Sequence, residues 1–203
     1  MKKIGIFGGT FDPIHRLHLR IAMAAKNTLS LDEIILVPTG NPPHKNNDLV
    51  SAFHHRKKMA ELAVDELEGF SVSDIENKSN LRKSYTSDTL DEFAKIYPDD
   101  RLYFIVGSDS LFDIENWKDP QNIFNKAAMA VFHRPNVSTK KQLHEQMNYL
   151  RKKYQSTIIL IEICAEDLSS TDIREDLQDG VLSSDSISPS VAEYIKEHKL
   201  YER

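Results

Sequence analysis

The chain has 203 residues, 40% hydrophobic and 28% charged, which suits one medium-sized soluble domain and excludes a disordered chain. Lys and Arg number 26 against 31 Asp and Glu, a formal charge of −5, so a general binder of nucleic-acid backbones or anionic membranes is not expected. The one cysteine, Cys164, excludes an intramolecular disulfide framework and a cysteine-only zinc cage. Neither a signal-peptide core nor an apolar run of about 18 residues occurs, so the expected location is the cytoplasm.

Short apolar, β-branched runs alternate with stretches of helical period. Ile4 to Phe7 reads as a buried strand, followed by a helix from His15 to Lys26 with Leu17, Ile21, Ala24 and Ala25 on one face. Glu33 to Val37 is a second strand, stopped by Pro38, and a long polar loop runs from Thr39 to Leu49. Ala52 to Asp65 has helical period, and Phe70 to Ile75 alternates as an edge or half-buried strand does. A helix from Ser87 to Tyr97, ended by Pro98, leads into a strand from Arg101 to Val106, halted at Gly107. Strands at Ala128 to His133 and Thr157 to Ile163 flank a charged helix, Thr139 to Lys153. Helices at Ser170 to Gln178 and Ser190 to His198 follow. Strands separated by helices predict an α/β, doubly wound and mostly parallel sheet with right-handed crossovers. The chain reads as a single domain, 1–203, with its C-terminal helical part (about 168–203) packed on it. Ligands of such sheets bind outside the carboxyl ends of the strands, which directs attention to the strand-end loops.

The most informative of these is Gly8-Gly9-Thr10-Phe11-Asp12-Pro13-Ile14-His15-Arg16-Leu17-His18. Two glycines at a strand end allow close approach of backbone to ligand, and the helix start that follows offers free N–H groups to an anion. Asp12 is placed to cap that helix. His15 and His18, three apart, share one helical face and can donate hydrogen bonds to phosphate oxygens. The same spacing suits a metal pair, but no third ligand follows at a usual zinc spacing. Neither G-x-G-x-x-G nor a P-loop is present here.

This segment resembles the first signature of the nucleotidylyltransferases, G-G-T-F-D-P-x-H-x-G-H, with Leu17 where the family usually has glycine. Leu17 can join the core face with Ile21 and Ala25, or narrow a nucleotide pocket. The resemblance extends over nearly the whole chain. A second signature, Ile-Ser-Ser-Thr-x-Ile-Arg, stands here as Leu168-Ser169-Ser170-Thr171-Asp172-Ile173-Arg174. Those serines are also an ordinary helix cap, and Arg174 adds a fixed positive fork.

Three further elements are similar to the nicotinate-mononucleotide adenylyltransferase branch. Asn41-Pro42-Pro43-His44-Lys45 supplies Lys45, either a mobile cation for a substrate phosphate or a solvated loop lysine. Tyr85-Thr86-Ser87-Asp88-Thr89-Leu90 places the Thr86 N–H near a helix start, where the resemblance implies it would face the nicotinate carboxylate; Thr86 or Ser87 can equally cap that helix, and both readings can hold together. Gly107-Ser108-Asp109 precedes Trp117, whose indole can stack on a pyridinium ring for about 0.5–2 kcal/mol or simply pack. His133-Arg134-Pro135 resembles the family's adenine-side element.

The resemblance implies transfer of the adenylyl group of ATP to nicotinate mononucleotide, giving deamido-NAD and pyrophosphate. His15, His18 and Arg174 would be catalytic. Gly8, Gly9, Thr10, Phe11, Gly107, Asp109, Arg134, Ser170 and Thr171 would join them in binding ATP, and Lys45, Tyr85, Thr86 and Trp117 would bind the mononucleotide. Mg²⁺ is expected on the phosphates rather than in a protein cage. The implied partners are small molecules, with no nucleic acid and no membrane, and a homo-oligomer stays open. The alternatives are the same chemistry on nicotinamide mononucleotide or another phosphate acceptor, and a non-catalytic nucleotide-binding protein.

Overall fold

Six apolar runs pair into one sheet in the computed structural model, which describes residues 1–41, 50–78, 84–163, 168–179 and 186–202. The strands are β1 (Lys3–Gly9), β2 (Glu33–Pro38), β3 (Phe70–Val72), β4 (Arg101–Gly107), β5 (Ala127–Phe132) and β6 (Ile158–Ile161). Their order is β3-β2-β1-β4-β5-β6 and every pairing is parallel. The fold is therefore α/β, doubly wound and Rossmann-like.

Side-chain alternation divides the interior into two layers. Ile4, Ile6, Ile35, Phe104 and Val106 enter one apolar cluster, while Phe7, Leu36, Tyr103 and Ile105 enter the other, on the opposite face. β5 is buried along its whole length, as a central strand covered on both faces must be. β3 spans three residues, none fully buried, which agrees with the expected edge position.

The helices are α1 (Arg16–Leu29), α2 (Phe53–Val64), α3 (Thr86–Ile96), α4 (Ser108–Asp113), α5 (Pro120–Lys126), α6 (Lys140–Tyr154), α7 (Ser170–Gln178) and α8 (Pro189–Glu197). α1 buries Ile21, Ala22, Ala25 and Leu29, and stops where Ser30 turns left-handed at φ 51°. α3 buries Leu90 and Phe93, at 0% and 2% exposure. Truncating either to alanine would cost about 2–5 kcal/mol, so packing fixes where the start of α3 lies. α6 carries a capping box, in which Thr139 and Gln142 each accept the other's backbone N–H.

Two helices, α4 and α5, are absent from the sequence expectation. Both are short, and α4 follows β4 with no intervening loop. α5 carried a legible start signal: Asp119 caps it by accepting from the Asn122 N–H at 3.2 Å, and Pro120 occupies the first helical position. β6 is shorter than the predicted Thr157–Ile163 strand. The expected helix cap at Asp12 is not formed. The N-cap of α1 is His15, and the Asp12 carboxylate turns away to other partners.

Candidate functional site

The strand order reverses between β1 and β4, and the crevice at that point opens into a cavity of about 780 Å³. Its volume falls within the usual range for small-molecule sites. Five groups of sequence-selected residues form its walls, whereas Lys45 lies outside the described residues.

The first wall is the loop after β1. Gly8 and Gly9 end the strand, and Thr10 and Phe11 follow on the cavity surface. A Cβ on Gly9 would come within 2.8 Å of the Phe11 ring, so glycine there lets that ring sit against the loop. Phe11 itself has φ 50°, a conformation costing a non-glycine residue about 1–2 kcal/mol. Its buried ring meets Phe7 edge-on at 5.7 Å and His18 at 5.1 Å. The loop is anchored from below by Arg56, 2% exposed. The Arg56 guanidinium donates to the carbonyls of Ser51 at 2.8 Å, Thr10 at 2.9 Å and Gly40 at 3.5 Å. Three partly buried carbonyls thus share one cation, tying the first loop to both flanks of the 42–49 segment.

The second wall is the histidine pair. The His15 and His18 rings stack at 3.7 Å between centroids. Burial pushes the His15 pKa down to about 4; the nearby Arg134 adds to this and Asp172 opposes it. His15 is therefore neutral at pH 7 in the ligand-free protein. Burial thus removes the positive charge that a solvated imidazole can carry, and leaves hydrogen-bond donation as its means of meeting an anion. Its Nδ1 is buried without a hydrogen-bond partner among the described residues. The His15 backbone N–H donates to His18 Nδ1 at 3.2 Å. An acceptor role for Nδ1 puts the proton of neutral His18 on Nε2.

The third wall is the start of α7. Ser169 caps the helix by accepting from the Asp172 N–H at 3.2 Å. Ser170 donates to the Pro13 carbonyl at 3.1 Å, while Arg174 donates to the Asp12 carbonyl at 2.7 Å and to Thr171 Oγ1 at 3.2 Å. The two signature segments are thereby joined directly. Leu168, Thr171 and Leu17 also reach the cavity, and Leu17 packs at the same time on the core beside α1. The expected core-face placement of Leu17 is therefore observed, and its side chain also lines the cavity.

The fourth wall combines Gly107, Asp109 and Arg134. A Cβ on Gly107 would collide with Asp109 Oδ1 and come within 2.9 Å of Arg134 Nε. Those two side chains lie 3.5 Å apart, half exposed, a pairing worth about 0.2–1 kcal/mol. The fifth wall holds Tyr85, Thr86 and Trp117. Thr86 is the first residue of α3, where backbone N–H groups have no partner within the helix. Trp117 is half-buried: its edge contact with Phe104 spans 6.5 Å between centroids, and its Nε1–H donates to Asp113 at 3.1 Å. Packing and an open indole face coexist there.

Three charged residues at or beneath the cavity escaped the sequence reading. Arg56 had no local pattern to mark it. Lys118 lines the cavity next to Trp117, bonded to Asp88 at 2.7 Å and lying over the Tyr85 ring at 5.1 Å. Its position beside the singled-out tryptophan was the available signal. Glu76 accepts from Gly40 N–H at 3.1 Å and Thr89 Oγ1–H at 2.8 Å, and burial pushes its pKa up against those bonds. Among the described residues, no group of three or more His, Cys, Asp or Glu side chains converges to hold a metal ion. No helix among them is long and apolar enough to cross a membrane.

An open α/β sheet with a cavity at its reversal point is the arrangement in which doubly wound folds bind nucleotides. The cytidylyltransferase-like family matches residues 6–176. The chain is 42% identical over 201 residues to a protein of Clostridium tetani named "Probable nicotinate-nucleotide adenylyltransferase", covering 99% of this chain and 100% of that protein. A protein of the same name from Clostridium botulinum is 41% identical, with 99% and 98% covered. The solved Plasmodium falciparum nicotinic acid mononucleotide adenylyltransferase complexed with NaAD superposes with a TM-score of 0.79 at 23% identity, covering 99% of this chain and 98% of that one. The chain belongs to the cytidylyltransferase-like family, in its nicotinate-nucleotide adenylyltransferase branch.

Proposed function

We propose that this chain joins ATP and nicotinate mononucleotide, giving deamido-NAD and pyrophosphate, a step of NAD biosynthesis in the cytoplasm. Two segments 162 residues apart, carrying Asp12 and Arg174, meet at one cavity, and that meeting carries the proposal. The whole chain, with its C-terminal helical part packed on it, would act as one catalytic unit.

In the proposed reaction a phosphate oxygen of the mononucleotide attacks the α-phosphorus of ATP. The bond from that phosphorus to the bridging oxygen breaks, and pyrophosphate carries the electron pair away. No covalent enzyme intermediate is required, so rate comes from alignment and from donors aimed at developing charge. His18 Nε2–H would donate to the α-phosphate, with neutral His15 stacked behind it holding its orientation and offering a second donor. Gly8, Gly9, Thr10 and Phe11 shape the first loop around the phosphates. Ser170, Thr171, the first N–H groups of α7 and Arg174 would take the β- and γ-phosphates. Gly107 leaves room for the ribose, Asp109 would accept its hydroxyls, and Arg134 would flank the adenine. At the other end the Thr86 N–H would receive the nicotinate carboxylate beside Tyr85, Trp117 would stack on the pyridinium ring, and Lys45 would meet the mononucleotide phosphate. Mg²⁺ would enter as part of the ATP substrate, carried by the phosphates rather than by a protein cage, and would supply charge neutralisation.

The purified protein, given ATP and Mg²⁺ with nicotinate mononucleotide, nicotinamide mononucleotide or phosphopantetheine in parallel, should release pyrophosphate fastest with the first. His18→Ala should lower kcat by about 10²–10³-fold with the fold intact. Faster turnover of another acceptor, or normal turnover by the His18 variant, would overturn the assignment.

A further inference from the structure

The segment after α8 reaches the first loop. Leu200 N–H bonds back to the Ile195 carbonyl at 3.0 Å, and the chain turns through positive φ on either side of it, at Lys199 (50°) and Tyr201 (67°). A bulky residue holds that backbone conformation only where its surroundings over-determine it. At Tyr201 the surroundings are specific. The phenol donates to Asp12 Oδ1 at 2.6 Å and lies 4.0 Å from the Met59 sulfur. Asp12 is 3% exposed; its second carboxylate oxygen accepts the Ser51 N–H at 3.1 Å, and its backbone carbonyl accepts Arg174 Nη1 at 2.7 Å. One buried residue of the first loop therefore receives the phenol on its side chain and the second-signature guanidinium on its main chain.

We propose that Tyr201 is a positioning residue for adenylyl transfer: its phenol fixes Asp12, and through the Asp12 carbonyl it fixes the Arg174 guanidinium that meets the outer phosphates of ATP. Nothing in the reaction requires Tyr201 to touch a substrate. The effect of losing the phenol must accordingly fall on ATP and pass through Arg174. The inference rests on the adenylyltransferase reading, and its test separates the two.

Tyr201→Phe removes one oxygen and leaves the ring packed against the core. ATP·Mg²⁺ affinity is measured by calorimetry without acceptor, alongside KM for both substrates, kcat and the melting temperature. The expected result is a weakening of ATP binding, and a rise in its KM, by roughly 3- to 10-fold, with KM for nicotinate mononucleotide unchanged. In an Arg174→Gln background the same substitution should leave ATP affinity unaltered, because the group it positions is gone. A lower melting temperature with unchanged ATP affinity would make Tyr201 merely structural and overturn the proposal. So would an equal ATP effect in both backgrounds. If the unaltered protein binds ATP yet turns over no nicotinate mononucleotide, the function reading fails, while the calorimetric comparison still judges Tyr201.

Discussion

Burial of His15 makes the stability of this protein fall as the solution is acidified. The unfolded chain binds a proton at His15 with a pKa near 6.5, whereas the folded chain does so near 4. Between those values the unfolded state holds more protons than the native state, so stability rises with pH through that window and is lost as pH falls through it. The loss amounts to about 2 kcal/mol at pH 5 and about 3 kcal/mol at pH 4 relative to pH 7.5. For a chain of this length the value at pH 5 lowers Tm by about 4–8 °C. Many carboxylates also titrate in acid, so the measurement is a difference. Urea melts of the unaltered protein and of His15→Asn, run from pH 7.5 to pH 4, share every other titration. The stability of the first relative to the second should shrink by the amounts given. An imidazole NMR titration of ligand-free protein should place His15 near 4. A His15 titrating near 6.5, or a stability difference independent of pH, would refute the reasoning from burial.

Three further outcomes follow from the site. Gly107→Ala should cost no more than about 1–3 kcal/mol: the backbone at φ −77° and ψ 164° accepts alanine and the displaced Asp109–Arg134 pair is exposed, but the new Cβ comes within 3.1 Å of the buried Phe132 ring. The same substitution should raise KM for ATP several-fold; a large drop in melting temperature with normal kinetics would contradict this. Arg56→Lys keeps the charge but loses the fork across three carbonyls, and should cost about 2–4 kcal/mol in urea unfolding, with a cost below about 0.5 kcal/mol ruling out the anchoring role. Trp117→Leu should raise KM for nicotinate mononucleotide by about 3- to 30-fold and leave KM for ATP alone, as separate substrate titrations would reveal; equal effects on both would mean the indole only packs.

The alternation of apolar strands and helical periods sufficed to place the sheet, because β1, β2, β4, β5 and β6 each carry a run of at least four largely apolar residues, as strands covered on both faces do. α4 and α5 escaped because helices of six and seven residues present too few turns for a periodic pattern. The glycine-rich loop, the serine cap and the two histidines could be picked out because each has a local reason to be where it is. The protonation of His15 could not: it is set first by burial and then by Arg134, neither of which its sequence neighbours reveal. Arg56 was invisible for the same reason, since its carbonyl partners at Thr10 and Gly40 lie 46 and 16 residues away. Asp12 shows the opposite error. Local chemistry recommended it as a helix cap, and long-range partners claimed it instead.

The contact between Asp12 and Arg174 bears on how the protein is made. During synthesis the first loop leaves the ribosome early, and its partner on α7 emerges 162 residues later. On the proposed reading, a chain that has folded only its first strands would lack half of the phosphate-binding groups and have no competent grip on a triphosphate. Nucleotide capture would then wait until α7 has docked on the first loop. If only that state binds, ambient ATP would draw the folding equilibrium toward it by RT ln(1 + [L]/Kd), making the substrate a selective stabiliser of chains in which the two segments have met.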